Sequence, residues 1–345
     1  MIKRLGQIAL GVLTLLALGA AGLFAWGASD PPVCEANDPA VALANARARA
    51  GEPYRDWCHA HDGNQLHVVE AGEGETVLFI HGFPTIWYSM IRPMEALRED
   101  YRVVAIDGLG AGRSDAPQAV EEYKLARMSE HLDALIDDLG GGPVHLVGHD
   151  WGAAFAGAYA QSRPEKLKTV TIMSAPPQNI AVRLLETSER QRQISQYVER
   201  LKSSSPALGL LAGAKGRIAS GPANHLKAGR MSPDEASILQ DGTSDLRRIN
   251  RHINWYRANL PAPDAISDGD FWPSREASFT LPTLVIWGEE DTVFDPAFID
   301  LMEASDTEGS LSIVRIKGVG HAPQFEAPQR VIEAIKDHLS AAHVP

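Results

Sequence analysis

Cysteine is nearly missing from this chain: 345 residues contain two, Cys34 and Cys58. No Cys/His spacing resembles a zinc site, so no metal site is read from it. An excess of positive charge is missing as well. The 32 Lys and Arg stand against 44 Asp and Glu, a formal net charge of −12, which argues against a nucleic-acid binder or a general binder of anionic membranes. Internal repeats and low-complexity runs are absent. What remains is an ordinary globular composition, 44% hydrophobic and 22% charged, long enough for one large domain or two with a sizeable core.

One stretch lacks charge altogether. Lys3 and Arg4 precede Ile8–Trp26, nineteen residues without a charged side chain. This is the pattern of an export signal, and it is about long enough to span a bilayer. Residues 1–29 are therefore expected to be a signal or a membrane anchor. The Lys/Arg end stays inside and the remainder is exported, in the periplasm or otherwise outside the cytoplasm. Residues 30–55, with Pro31-Pro32 and an Ala-rich stretch, read as a linker. In an exported protein an even cysteine count suggests a disulfide, Cys34 to Cys58, tying this lead-in to the first strand.

From residue 56 onward strand and helix patterns alternate. Leu66–Val69, Thr76–Ile80, Arg102–Ile106, Thr169–Met173, Thr283–Trp287 and Leu311–Ile316 read as strands, and Met128–Leu139 and Pro328–Leu339 as helices. Alternation of this kind implies an α/β fold with a mostly parallel sheet covered on both faces. Residues 177–278 break the pattern, being helical or irregular. They read as a helical cap inserted between core segments 56–176 and 279–345.

The chemistry centres on Val144-His145-Leu146-Val147-Gly148-His149-Asp150-Trp151-Gly152. An apolar strand runs into a Gly-x-Asp-x-Gly turn, and a helix with small residues follows. That is the setting of a nucleophile elbow with Asp150 in place of serine. Asp also suits a plain helix N-cap, so other residues must decide. A carboxylate attacking an acyl carbon would give a reactive anhydride. Attacking a saturated carbon, it displaces a leaving group and gives an ordinary ester, which an oxyanion hole and an activated water can hydrolyse. Three further stretches each follow a strand. His81-Gly82-Phe83-Pro84 offers the Phe83 N–H to pair with that of Trp151 as an oxyanion hole. Trp287-Gly288-Glu289-Glu290-Asp291 offers carboxylates. Gly318-Val319-Gly320-His321 offers a histidine. The order nucleophile, acid, histidine matches a catalytic triad on this kind of sheet. The glycines of Asp107-Gly108-Leu109-Gly110-Ala111-Gly112 lead to Ser114-Asp115 rather than into a helix start, so they are not read as a dinucleotide site.

These residues carry a resemblance. His81-Gly82-Phe83-Pro84-Thr85-Ile86-Trp87-Tyr88, Gly148-His149-Asp150-Trp151-Gly152, Asp291 and His321 resemble the α/β-hydrolase fold, specifically its epoxide hydrolase and haloalkane dehalogenase group, over about Leu66 to Leu339. Asn254-Trp255-Tyr256-Arg257 is similar to the epoxide hydrolase segment that carries a ring-opening tyrosine. Gln191–Tyr197 is a weaker match to the segment that carries the other. The resemblance implies Asp150 as nucleophile and His321, oriented by Asp291, as base. It implies Tyr256 and Tyr197 as proton donors, Trp87 and Trp255 beside the substrate, and no cofactor. The expected partners are a small apolar epoxide or haloalkane and water. A dehalogenase typically has a halide-binding Asn where Phe83 stands, and a fluoroacetate-type enzyme an Arg where Trp151 stands, so the epoxide reading is favoured. A non-catalytic binding protein would not need the Asp150, Asp291 and His321 set. There is one departure: Ser174-Ala175-Pro176-Pro177 lacks the His of the usual Asn-Ala-Pro-His-Pro run.

Overall fold

The computed structural model describes residues 29–48, 51–203, 215–306 and 310–342. The apolar segment Ile8–Trp26 lies outside them. Among the described residues no helix is long and apolar enough to cross a membrane. Eight strands form one sheet: β1 Arg55–His61, β2 Asn64–Ala71, β3 Thr76–Ile80, β4 Arg102–Ile106, β5 Val144–His149, β6 Leu167–Met173, β7 Thr283–Gly288 and β8 Leu311–Ile316. Their order is β1-β2-β4-β3-β5-β6-β7-β8. β2 runs antiparallel to β1 and β4, and the remaining pairs are parallel. The β1–β2 hairpin turns at Asp62-Gly63, whose φ values are 45° and 80°. Asp-Gly supplies that left-handed pair at low cost.

Strands buried on both faces need apolar residues at every position, and β3 shows why its run is continuous. Leu78 and Ile80 face one apolar layer, with the helices Leu125–Asp138 and Trp151–Ser162. Val77 and Phe79 face the other, with Ile91–Leu97 and Pro328–Ala341. The last helix buries Val331, Ile335 and Leu339 at four-residue spacing, each contributing roughly 2 kcal/mol by removal from water.

The lead-in is not an open linker. Pro39–Arg47 is a helix capped by Asp38, whose side chain accepts the Ala40 N–H, and it buries Ala40, Val41 and Ala44. Cys34 and Cys58 are joined in a disulfide, with their Cα atoms 6.1 Å apart. The Cys34 N–H donates to Asp115 at 2.7 Å. Alanine-rich composition suggests a loose tether, but small side chains are also what lets a helix lie close on a sheet.

Between Pro177 and Ser278 the described residues contain no strand. The helices Gln178–Thr187, Glu189–Ile194, Gln196–Ser203, Lys215–Lys227, Pro233–Asp241, Leu246–His252 and Asn254–Asn259 form the cap. It is seated on the loops at the C-terminal strand ends. Trp255 Nε1 donates to the Leu109 carbonyl at 2.9 Å, and a Cβ on Gly108 would come within 2.4 Å of the Trp255 ring.

Candidate active site

At the end of β5 the chain reverses sharply into the helix Trp151–Ser162. Asp150 sits at the reversal with φ 53° and ψ −122°, a conformation uncommon for a residue with a Cβ. The turn closes only on glycines. A Cβ on Gly152 would lie 2.1 Å from the Ile80 carbonyl oxygen, and one on Gly148 would lie 2.1 Å from that of Gly152. The Asp150 side chain makes no capping bond to its own helix, so the N-cap explanation for this residue fails. Its carboxylate is turned to other partners. Oδ1 accepts the Phe83 N–H at 2.7 Å, and Oδ2 lies 3.2 Å from His321 Nε2. The approach of Phe83 depends on Gly82, where a Cβ would fall 2.5 Å from that of Asp150.

His321 stands in the loop after β8. Its Nδ1 is 2.7 Å from Asp291 Oδ2 in the loop after β7, and Asp291 Oδ1 accepts the Val293 N–H at 2.7 Å. Of the three carboxylates following β7, Glu289 and Glu290 are exposed and Asp291 is buried. The histidine loop is clamped. Glu326 accepts the N–H groups of Gly320 at 3.1 Å and Ala322 at 3.2 Å, one on either side of His321. Arg230 of the cap pairs with the same carboxylate at 3.2 Å. His149 Nε2 meets the His321 carbonyl oxygen at 2.8 Å, so its ring braces this loop.

Charge is arranged by these contacts. Burial pulls the His321 pKa down, but its bonds to Asp150 and Asp291 outweigh that and raise it to about 10. Burial pushes the Asp150 pKa up, but the His321 bond and charge outweigh it, with help from the Trp151 N–H. They hold the carboxyl below its ordinary range. At neutral pH the pair is therefore carboxylate and imidazolium. An ester on Asp150 would remove the negative charge, and His321 would then lose its strongest reason to hold a proton.

Above Asp150 lies a narrow cavity of about 40 Å³ lined by core and cap, with Trp151, Tyr197, Tyr256, Leu185 and Phe294 in its wall. By the same measure that is room for roughly three waters. Tyr256 packs edge-on against Phe83 and Trp151, ring centres 5.1 and 4.9 Å away, and Tyr197 lies 6.5 Å from it. Burial, then Tyr197 and the Asp150 charge, push the Tyr256 phenol well above its ordinary pKa, so it keeps its proton.

The structure does not bring Trp87 and Trp255 to the cavity. Trp87 is fully buried in the opposite apolar layer, with Nε1 donating to Asp38 at 2.8 Å. Trp255 is fully buried where the cap meets the core, its ring stacked 5.6 Å from His81. Each neighbours a site motif in sequence, yet packing points each into a seam. Among the wall residues not foreseen are Gln178, Ala181 and Leu185. Their i, i+3, i+7 spacing on one helix was a readable signal.

Fold and site together define a capped hydrolase with a carboxylate in the nucleophile's place. The α/β-hydrolase fold family matches over residues 75–328. The chain is 30% identical over 304 residues to an epoxide hydrolase of Caballeronia sordidicola, covering 80% of this chain and 91% of that one. It is 28% identical over 285 residues to epoxide hydrolase 3 of Xenopus tropicalis, covering 80% and 75%. Among solved structures it is similar to a Bacillus megaterium epoxide hydrolase in complex with an inhibitor, with a TM-score of 0.70 and 25% identity, covering 82% of this chain and 100% of that one. The chain belongs to the α/β-hydrolase fold family, in its epoxide hydrolase group.

Proposed function

We propose that this chain hydrolyses small epoxides to vicinal diols through an ester on Asp150. The observation that carries the reading is the meeting of two cap tyrosines and the Asp150 carboxylate in one cavity. Phe83 N–H holds Oδ1, which leaves Oδ2 to attack a ring carbon. As the C–Oδ2 bond forms, the ring C–O bond breaks. The departing alkoxide stays on the substrate and takes a proton from Tyr256 or Tyr197. Alkoxide is a poor leaving group, and a phenol that stays protonated at neutral pH suits this donation. Asp150, now neutral, no longer holds His321 as a cation, and the imidazolium proton passes to the tyrosinate left by the first step. His321 takes a proton from water, and the hydroxide adds to the ester carbonyl carbon. Negative charge then gathers on Oδ1 between the N–H groups of Phe83 and Trp151. Collapse expels the diol oxygen, which is protonated on leaving. That proton comes from the new carboxyl group, so Asp150 recovers its charge and His321, holding the proton taken from water, is again a cation.

The Tyr197→Phe, Tyr256→Phe double variant tests this. Epoxide turnover is expected to fall at least about a hundredfold, with the thermal midpoint kept. Unchanged epoxide turnover would overturn the reading in favour of a halide leaving group, which needs only N–H donors.

We also infer that the chain is exported, with Ile8–Trp26 as its signal or membrane anchor. Lys3 and Arg4 ahead of an uncharged run support this, and so does a disulfide outside the catalytic motifs. Fractionation of expressing cells is the check: full-length protein confined to the cytoplasm, with both thiols alkylated without reductant, would reject export.

A further inference from the structure

One residue of the cavity wall has a buried polar atom with nothing to bond to. Gln178 is the first residue of the first cap helix, lines the cavity with Asp150 and both tyrosines, and is 2% exposed. Its amide nitrogen donates to the Asn259 carbonyl oxygen. That oxygen can only accept, so the contact fixes which end of the amide faces it. The other end, Oε1, is buried and has no hydrogen-bond partner. Gln191, in the same wall, differs. It donates to Ser195 Oγ at 2.9 Å and to the Val293 carbonyl, and accepts the Asp295 N–H at 2.7 Å. Leaving an amide oxygen dry and unbonded is unfavourable by roughly 1–3 kcal/mol.

The backbone does not require glutamine here. The run that usually reads Asn-Ala-Pro-His-Pro reads Ser174-Ala175-Pro176-Pro177-Gln178, so the amide stands in a proline's place. A first helical residue has no intrahelical use for its N–H. Pro177, at φ −60° and ψ 160°, already has the extended backbone that a following proline wants. The amide is present for what its side chain meets.

We propose that Gln178 Oε1 accepts a hydroxyl or N–H donor carried by the substrate beside its oxirane. The favoured substrates are then epoxides with an adjacent hydrogen-bond donor, epoxy alcohols foremost, rather than plain hydrocarbon epoxides. The proposal rests on the epoxide reading above and narrows its substrate class. A hydrocarbon epoxide leaves Oε1 unbonded in the complex, whereas an epoxy alcohol satisfies it. Sites built around a buried polar group discriminate strongly against a ligand that lacks the partner.

The test compares glycidol with butylene oxide, which puts a methyl where glycidol has its hydroxyl. The kcat/KM ratio of the two is measured in wild type, Gln178→Met and Gln178→Pro. Intrinsic reactivity cancels between enzymes. The glycidol preference is expected to fall about tenfold in both variants. A ratio unchanged within about twofold in a folded variant overturns the Gln178 proposal while leaving epoxide hydrolysis standing. Failure of wild type to turn over either compound overturns the epoxide reading itself. Should neither variant fold, wild type alone decides with glycidol against its methyl ether, which keeps the oxygen and loses the donor. Equal kcat/KM there rejects the proposal.

Discussion

Two buried carboxylate–imidazole–carboxylate chains stand among the described residues, and one of them lines a cavity. His321 bridges Asp291 at 2.7 Å and Asp150 at 3.2 Å. His67 bridges Asp107 at 2.9 Å and Asp56 at 3.1 Å. In both, burial disfavours the charged imidazole and the carboxylates outweigh it, so both pKa values are raised. Distances and charge do not tell them apart. What does is how one of the two carboxylates is spent. Asp107 accepts from His67, from the Trp87 N–H at 2.8 Å and from the Arg113 N–H at 3.0 Å, and these bonds tie its own loop to β2 and to the turn at Trp87. Asp150 stands on a strained turn, rests one oxygen on an N–H suited to an oxyanion, sets the other beside His321, and lines the cavity. A hydrogen-bonded triad becomes an active site when one lone pair is left facing a space for substrate.

The sharpest way to break this comparison is to neutralise each aspartate. Asp150→Asn is expected to lose about 10⁴-fold in kcat/KM, because the nucleophile is gone. Asp107→Asn should leave the kcat of folded enzyme within a few-fold and lower stability by about 3 kcal/mol, since it leaves buried donors unmet. Steady-state kinetics beside urea unfolding separates the two. Comparable losses of kcat would dissolve the distinction.

Next come the histidines. His321→Gln should still form the ester and fail to hydrolyse it, so mass spectrometry should find the peptide containing Asp150 heavier by one substrate. His67→Gln should show no such adduct. Normal turnover by His321→Gln would remove the base assignment.

The pH dependence sharpens the contrast further. The folded pKa of His321 is raised to about 10, so its pairing stabilises fully below the ordinary imidazole value near 6.5 and is lost as pH rises through about 10. Wild type should therefore lose thermal stability between pH 7 and 10 more steeply than Asp150→Asn, in which that pairing is already weakened. Parallel profiles from scanning calorimetry would count against the ion pair. The smallest functional effect belongs to the disulfide. Its 24-residue separation predicts about 3 kcal/mol of stabilisation, so Cys34→Ser, Cys58→Ser should melt earlier with kcat little changed.

Much of the site was legible because catalytic groups on a parallel sheet sit at strand ends. An apolar run followed by Gly-x-Asp-x-Gly, by His-Gly-Phe-Pro or by Gly-x-Gly-His marks such an end without knowledge of the fold. Asp291 was distinguishable from Glu289 and Glu290 only through the family resemblance, and burial and the His321 contact now separate them. The lead-in helix was misjudged because alanine and proline suit a tether as well as a docked helix. Trp87 and Trp255 were misjudged because closeness in sequence to a motif says nothing about which way a side chain packs.

The sequence by itself determined the elbow, the order of nucleophile, acid and base, and the two-sided strands, since each depends on neighbours along the chain or on simple periodicity. Tertiary structure alone decided which polar atoms are left unsatisfied. Asp150 and Asp107 are both aspartates after apolar strands. Only the loops that close around Asp107, and the cavity beside Asp150, leave one as a joint and the other free to meet a substrate. Gln178 Oε1 is unbonded for the same reason: Asn259, 81 residues away, takes one end of its amide, and the cavity lies beside it.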